Sequence, residues 1–221
     1  MAKSVKAPVA AWFACACGLV LLAVAIYKVG LVERLDADLL QRLVVRRDSG
    51  TFTVADAFAH MADPLPLIVM LTAVCGLAAS LGRRREAVAA VVVVAGANLT
   101  TQVLKVLLAH PRYQPFLGEH QPWSTAFPSG HATAAASIAV ALLLVAPVRL
   151  REIAGLLGMA FVAVVSGSVV ALEWHYPSDV VGGILIAAGW GFAALAGLRA
   201  VRQLQRPPDT QESRRLAISV K

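Results

Sequence analysis

Polar residues along this chain come in short islands between long apolar stretches. Six apolar segments stand out, running approximately Ala10–Val32, Leu65–Leu81, Ala87–Leu108, Ser129–Val148, Ile153–Trp174 and Val180–Leu198. A helix needs about 20 residues to cross a bilayer, and all six are near that length, the second being short. They are apolar almost all round, as helices embedded in lipid should be. The pattern predicts an all-α, polytopic membrane protein with six transmembrane helices.

The connections alternate in charge. Lys3 and Lys6, Arg83-Arg84-Arg85, Arg149 and Arg151, and the tail from Arg199 to Lys221 fall on one side. The positive-inside rule makes that side cytoplasmic, with both termini there. Glu33–Pro64, His110–Pro128 and Trp174–Asp179 fall on the other side. In the first outer connection Leu35, Leu39, Leu40 and Leu43 recur at helical spacing among charged residues, which predicts an amphipathic interfacial helix. Asp63-Pro64-Leu65-Pro66 opens the second span. Residues 1–205 read as one membrane domain, and the polar, proline-containing segment 206–221 as a disordered cytoplasmic tail.

Composition supports the membrane reading. The chain has 221 residues, 58% hydrophobic and 15% charged, where soluble domains carry roughly 25% charged residues. The net charge of +7 is dispersed in short patches that read as topology signals. No solvated basic face for nucleic acid is evident. Cys15, Cys17 and Cys75 all lie in apolar runs, so no disulfide framework is expected. The first apolar run exceeds the 7–15 residues, roughly, of a signal-peptide core and reads as an uncleaved helix at the plasma membrane.

The outer face gathers the chemistry. His175 and Asp179 are four residues apart, at the start of a helix expected near Pro177. A carboxylate there can fix one imidazole nitrogen and leave the other free to attack. Ser129, Gly130 and His131 open the fourth span after Pro128. Unpaired N–H groups at that helix start favour an anion, Gly130 permits close approach and His131 can protonate a leaving oxygen. Lys105 and Arg112 can neutralise phosphoryl oxygens. His110, Glu119, His120, His131 and His175 raise the question of a metal, but their spacing fits no compact ligand motif. No cofactor is expected.

These residues resemble the motifs of the PAP2 family, the type 2 phosphatidic acid phosphatase superfamily. Its patterns are Lys-x6-Arg-Pro, Pro-Ser-Gly-His and Ser-Arg-x5-His-x3-Asp. Lys105 and Arg112 match the first, with Tyr113 in place of the proline. Pro128–His131 completes the second. Ser168, His175 and Asp179 match the third, with Val169 where the arginine belongs. The resemblance implies a six-helix bundle with an extracytoplasmic site, a phosphohistidine on His175, His131 as general acid, and Lys105, Arg112, Ser129 and Gly130 around the phosphate. It implies no metal.

Val169 and Glu173, the latter read as one turn further along the same helix face, depart from that pattern. Arg46, Arg47 and His110 are candidate replacement cations on the outer side. The expected function is hydrolysis of a lipid phosphate or diphosphate, of the polyprenyl or phosphatidic-acid type. Phosphotransfer to a lipid or glycan acceptor is one alternative, and a catalytically weak protein that binds lipid phosphate is another. A transporter would want paired halves, and no inverted repeat is visible. Neither the lipid nor the oligomeric state is readable.

Overall fold

The computed structural model describes residues 4–109 and 122–205. The expected tail therefore lies outside the described residues, as do Arg112, His110, Glu119 and His120. All regular structure among the described residues is helical. In chain order the helices are α1 (Lys6–Lys28), α2 (Gly30–Leu43), α3 (Gly50–His60), α4 (Pro64–Ser80), α5 (Arg84–Leu107), α6 (Gly130–Val145), α7 (Arg151–Ala171) and α8 (Pro177–Leu204). All six expected apolar segments form helices, with ends shifted by a few residues.

α6 is the axle of the bundle, packed against α4, α5, α7 and α8, while α1 lies along α8. Its sequence explains this position. Ala132, Ala134, Ala135, Ala136, Ala139 and Ala141 are all buried, and small side chains let neighbouring backbones approach. Glycines on α8 do the same from the other side. A Cβ at Gly183 would lie 2.6 Å from the Ser129 carbonyl oxygen, and one at Gly191 would lie 2.6 Å from the Val140 side chain. Polar groups add interhelical bonds where water is absent. The Thr101 and Thr133 hydroxyls of α5 and α6 are 2.9 Å apart, and Asn98 Nδ2 donates to Ser137 Oγ over 3.3 Å.

The outside inverts the arrangement of a soluble protein. Phe13, Leu21, Leu65, Val106, Leu156 and Leu157 are all more than half exposed. An exterior richer in bulky apolar side chains than the interior suits lipid as solvent. Four helices are long and apolar enough to cross a membrane: α1, α5, α7 with its preceding 3-10 turn, and α8. α3 and α4 make a fifth crossing if taken as one span, bent by 56°. Pro64 at the start of α4 fits the break, since proline lacks the N–H that a continuous helix would need. The apolar α6 has 16 residues, about 24 Å at 1.5 Å per residue. The chain is a multi-pass membrane protein, all-helical in its regular structure among the described residues.

α2 occupies the expected position with a different orientation. Leu40 is fully buried with Asp36 and Ala37, whereas Leu35, Leu39 and Leu43 face outward. The four leucines therefore do not share a face.

Candidate active site

Two helix N-termini meet at one end of the bundle. Ser129 caps α6, its Oγ accepting from the Ala132 N–H over 3.3 Å. Its own N–H donates to the Asp179 carbonyl over 2.9 Å, so the start of α6 is tied to the first turn of α8. Asp179 is fully buried, and its Oδ2 accepts from the Tyr176 N–H over 2.9 Å. α8 begins at Pro177, as the sequence implied, with Asp179 in its first turn and His175 just ahead of it.

His175 is 5% exposed, and its Nδ1 lies 3.6 Å from Asp179 Oδ2. That is beyond hydrogen-bond reach, and Nδ1 has no other hydrogen-bond partner. The carboxylate faces the nitrogen it was expected to orient. His131, in the first turn of α6, faces His175 with ring centroids 6.0 Å apart. Lys105 ends α5 beside them: a Cβ on Gly130 would lie 3.9 Å from its Nζ. His175, His131, Asp179, Ser129, Gly130 and Lys105 are thus brought together. Among the described residues, no three of His, Cys, Asp and Glu are grouped as a metal site would need.

The structure adds a carboxylate that the sequence reading used only to start a span. Asp63, at the N-cap position of α4, places Oδ1 3.4 Å from His131 Nε2. Each histidine therefore has its own carboxylate. The Asp-Pro pair is a visible helix-start signal, but no local pattern joins residue 63 to residue 131. Trp174 closes the same side, 5.3 Å from His131 and 5.6 Å from His60 by ring centroids.

Glu173 requires a correction. α7 ends at Ala171, so Glu173 is not a further turn of the helix. It adopts a left-handed φ of 64°. The Trp174 N–H donates back to Val169 and the Glu173 N–H to Val170, over 3.0 Å each. This is a Schellman ending with glutamate where glycine is usual. The acid is not left bare: Glu173 Oε2 lies 3.5 Å from Arg47. Arg46 is engaged by Asp48 at 2.7 Å, and its guanidinium holds the Asp48 carboxyl below the usual range.

Val169 itself is fully buried, in an apolar cluster with Leu40, Ala132, Val170, Tyr176 and Val180. A second carboxylate missed by the sequence reading steadies this region. Asp36 of α2 accepts from the N–H and the hydroxyl of Ser178 in the first turn of α8.

Comparison with known proteins completes the description. The family model described as the PAP2 superfamily matches residues 86–202. None of the curated proteins searched matches the chain. Among solved structures, the chain is similar to one described as the first transmembrane PAP2 type phosphatidylglycerolphosphate phosphatase from Bacillus subtilis. The identity is 19% and the TM-score 0.71, covering 90% of this chain and 98% of that one. At that identity the likeness is one of fold.

Proposed function

Because the chain belongs to the PAP2 superfamily, we propose that it is a membrane phosphatase acting on a lipid phosphate or diphosphate through a phosphohistidine at His175. The observation that carries this reading is the pair of imidazoles facing each other across 6.0 Å, with Asp179 behind one and Asp63 behind the other. The 6.0 Å separates the ring centroids, which puts both imidazoles near enough to serve a single phosphoryl group.

In this mechanism Asp179 orients Nδ1 of His175, and Nε2 attacks phosphorus. The P–N bond forms as the ester P–O bond breaks, and His131 gives its proton to the leaving lipid oxygen. His131 then takes a proton from water, whose oxygen attacks phosphorus. The P–N bond breaks and inorganic phosphate leaves. Lys105, Ser129, Gly130 and the N-terminus of α6 hold the equatorial oxygens, together with Arg112.

Counting α6 and the bent α3–α4 pair gives six crossings. The arginine-rich connections then lie in the cytoplasm and the histidines on the outer face of the plasma membrane. α2 lies at the interface, turning Leu31, Leu35, Leu39 and Leu43 to lipid.

Substrates of the expected kind are polyprenyl phosphates, phosphatidic acid and, from the name of the similar structure, phosphatidylglycerolphosphate. Phosphate release by the purified protein from each of these, beside His175→Ala, tests the reading. Release that survives the substitution overturns it. A second reading, slow turnover with tight binding of lipid phosphate, draws on the burial of Val169 where the motif carries a cation. It predicts binding of the same lipids with little release by the unsubstituted protein.

A further inference from the structure

A cavity lies among the described residues at the other end of the bundle. α5 and α7 start there and α6 and α8 finish there, whereas the histidines occupy the opposite ends of the same helices. The cavity has a volume of about 550 Å³. Its walls include Val140, Leu144, Ala188, Phe192 and Leu195, all apolar. Its rim is different: Arg83, Arg151, Arg199 and Arg202 line it, with Glu86 as the one carboxylate among the described lining residues.

The rim bonds are uneven. Arg83 reaches the Leu144 carbonyl at 3.1 Å and Glu86 at 3.2 Å, yet its buried Nε has no acceptor. Arg202 meets the same Glu86 oxygen at 2.6 Å through one terminal nitrogen. Arg199 commits one terminal nitrogen to the Ser4 carbonyl, and Arg151 uses its Nε on Ala146. Part of this is structural, because the carbonyls of Leu144 and Ala146 end α6 and welcome cations. Capping accounts for Arg83 and Arg151, but not for two further guanidiniums turned onto the same apolar cavity. Among the described residues the cavity thus carries an excess of positive charge, with Arg83 and Arg202 sharing one oxygen of Glu86, and an anion at the rim would offset it.

We propose that this cavity is a binding site for an anionic phospholipid of the inner leaflet, separate from the phosphate site. The headgroup phosphate sits among Arg83, Arg199 and Arg202, whose planar forks match its oxygens. One acyl chain runs down the apolar wall beside Phe192 and Val140. A soluble anion would use the rim and leave that wall unoccupied, so a lipid is the occupant that matches both parts. Basic pockets between membrane helices on the cytoplasmic side are a recurrent setting for such headgroups.

Native mass spectrometry of the detergent-purified full chain tests this. Phosphatidylglycerol and phosphatidylcholine with identical acyl chains are titrated onto the unsubstituted protein, an Arg199→Gln/Arg202→Gln variant, an Ala188→Phe variant that fills the groove, and Lys105→Ala. Each variant is first checked for an unchanged helical spectrum and elution volume. The expected result is one retained phosphatidylglycerol, bound at least tenfold more weakly by the two groove variants and as before by Lys105→Ala. Equal retention of phosphatidylcholine overturns the proposal, as does indifference to both groove variants. Loss in Lys105→Ala alone places the lipid in the phosphate site and also overturns it. Phosphate release is read in a separate assay, so failure here leaves the phosphatase reading standing, and the converse holds.

Discussion

The backbone N–H of Ser129 donates to the carbonyl oxygen of Asp179 over 2.9 Å. This bond couples the start of α6, which carries His131, to the first turn of α8, whose Asp179 carboxylate faces His175. The close approach depends on Gly183, where a Cβ would fall 2.6 Å from the Ser129 carbonyl oxygen and 2.9 Å from Thr133 Oγ1. Gly183→Ala must therefore push α6 from α8. Displacements of about 1 Å at a reacting centre lower rates on the order of 100-fold. Steady-state phosphate release should fall by that order while the helical spectrum is retained. A fall under threefold would mean the two helix starts need no such registration.

Asp63 should position His131. Among the described residues, the charged and titratable groups around that imidazole are Asp63 at the head of α4, Lys105 of α5, and His175 and Asp179 at the α7–α8 junction, with His60 of α3 beyond Trp174. In the proposed mechanism attack needs His175 neutral and donation needs His131 protonated, so the rate should trace a bell against pH. A neighbouring carboxylate favours imidazolium. Asp63→Asn should lower kcat about 10- to 100-fold and draw the alkaline limb of the bell to lower pH, and Asp63→Glu should restore much of both. A merely structural role would lower activity without moving the limb, and that result would remove Asp63 from the mechanism.

Much of this was legible in the sequence because lipid imposes a simple code. A run of apolar residues near spanning length has few alternatives to a helix, and all six runs are helical. The histidine islands were legible because polar residues are rare there and sit beside helix-start signals: Pro128-Ser129 for α6 and Pro177 for α8. Long-range pairing had no local trace. Asp63 meets His131 because α3 and α4 break at Pro64, and Asp36 meets Ser178 because α2 folds back over the start of α8. Leu40 is inseparable from its neighbours in sequence, since an exposed leucine and a buried one look alike there. The end of α7 has no signal at Glu173, because glutamate gives no warning of a left-handed residue.

Asp36 should act on stability more than on chemistry. It is 5% exposed and receives both the N–H and the hydroxyl of Ser178. Hydrogen bonds to charged groups contribute about 1.5–3 kcal/mol, and Asp36→Ala would leave the Ser178 donors buried without this partner. A clear drop in the midpoint of thermal unfolding, followed by tryptophan fluorescence, is expected. An unchanged midpoint would show that α2 is held by its apolar contacts alone.

Arg47 should supply the cation that Val169 lacks. Val169 is packed against Leu40 and Ala132, so Val169→Arg overfills the cluster, at a cost of about 1–3 kcal/mol. It should destabilise the protein without raising its activity. Arg47 comes from the connection between α2 and α3, 3.5 Å from a glutamate two residues before His175. One charge-assisted bond to a phosphate oxygen is worth about 1.5–3 kcal/mol, so Arg47→Gln should lower kcat/KM by about tenfold or more. Glu173→Gly separates holding Arg47 from ending the helix. Glycine relieves the φ of 64° and should raise the unfolding midpoint, since a left-handed residue with a side chain costs roughly 1–2 kcal/mol. It also frees Arg47 and should raise KM. A variant both more stable and fully active would show that Glu173 only terminates α7, and an undiminished kcat/KM in Arg47→Gln would leave the charge to Lys105 and Arg112.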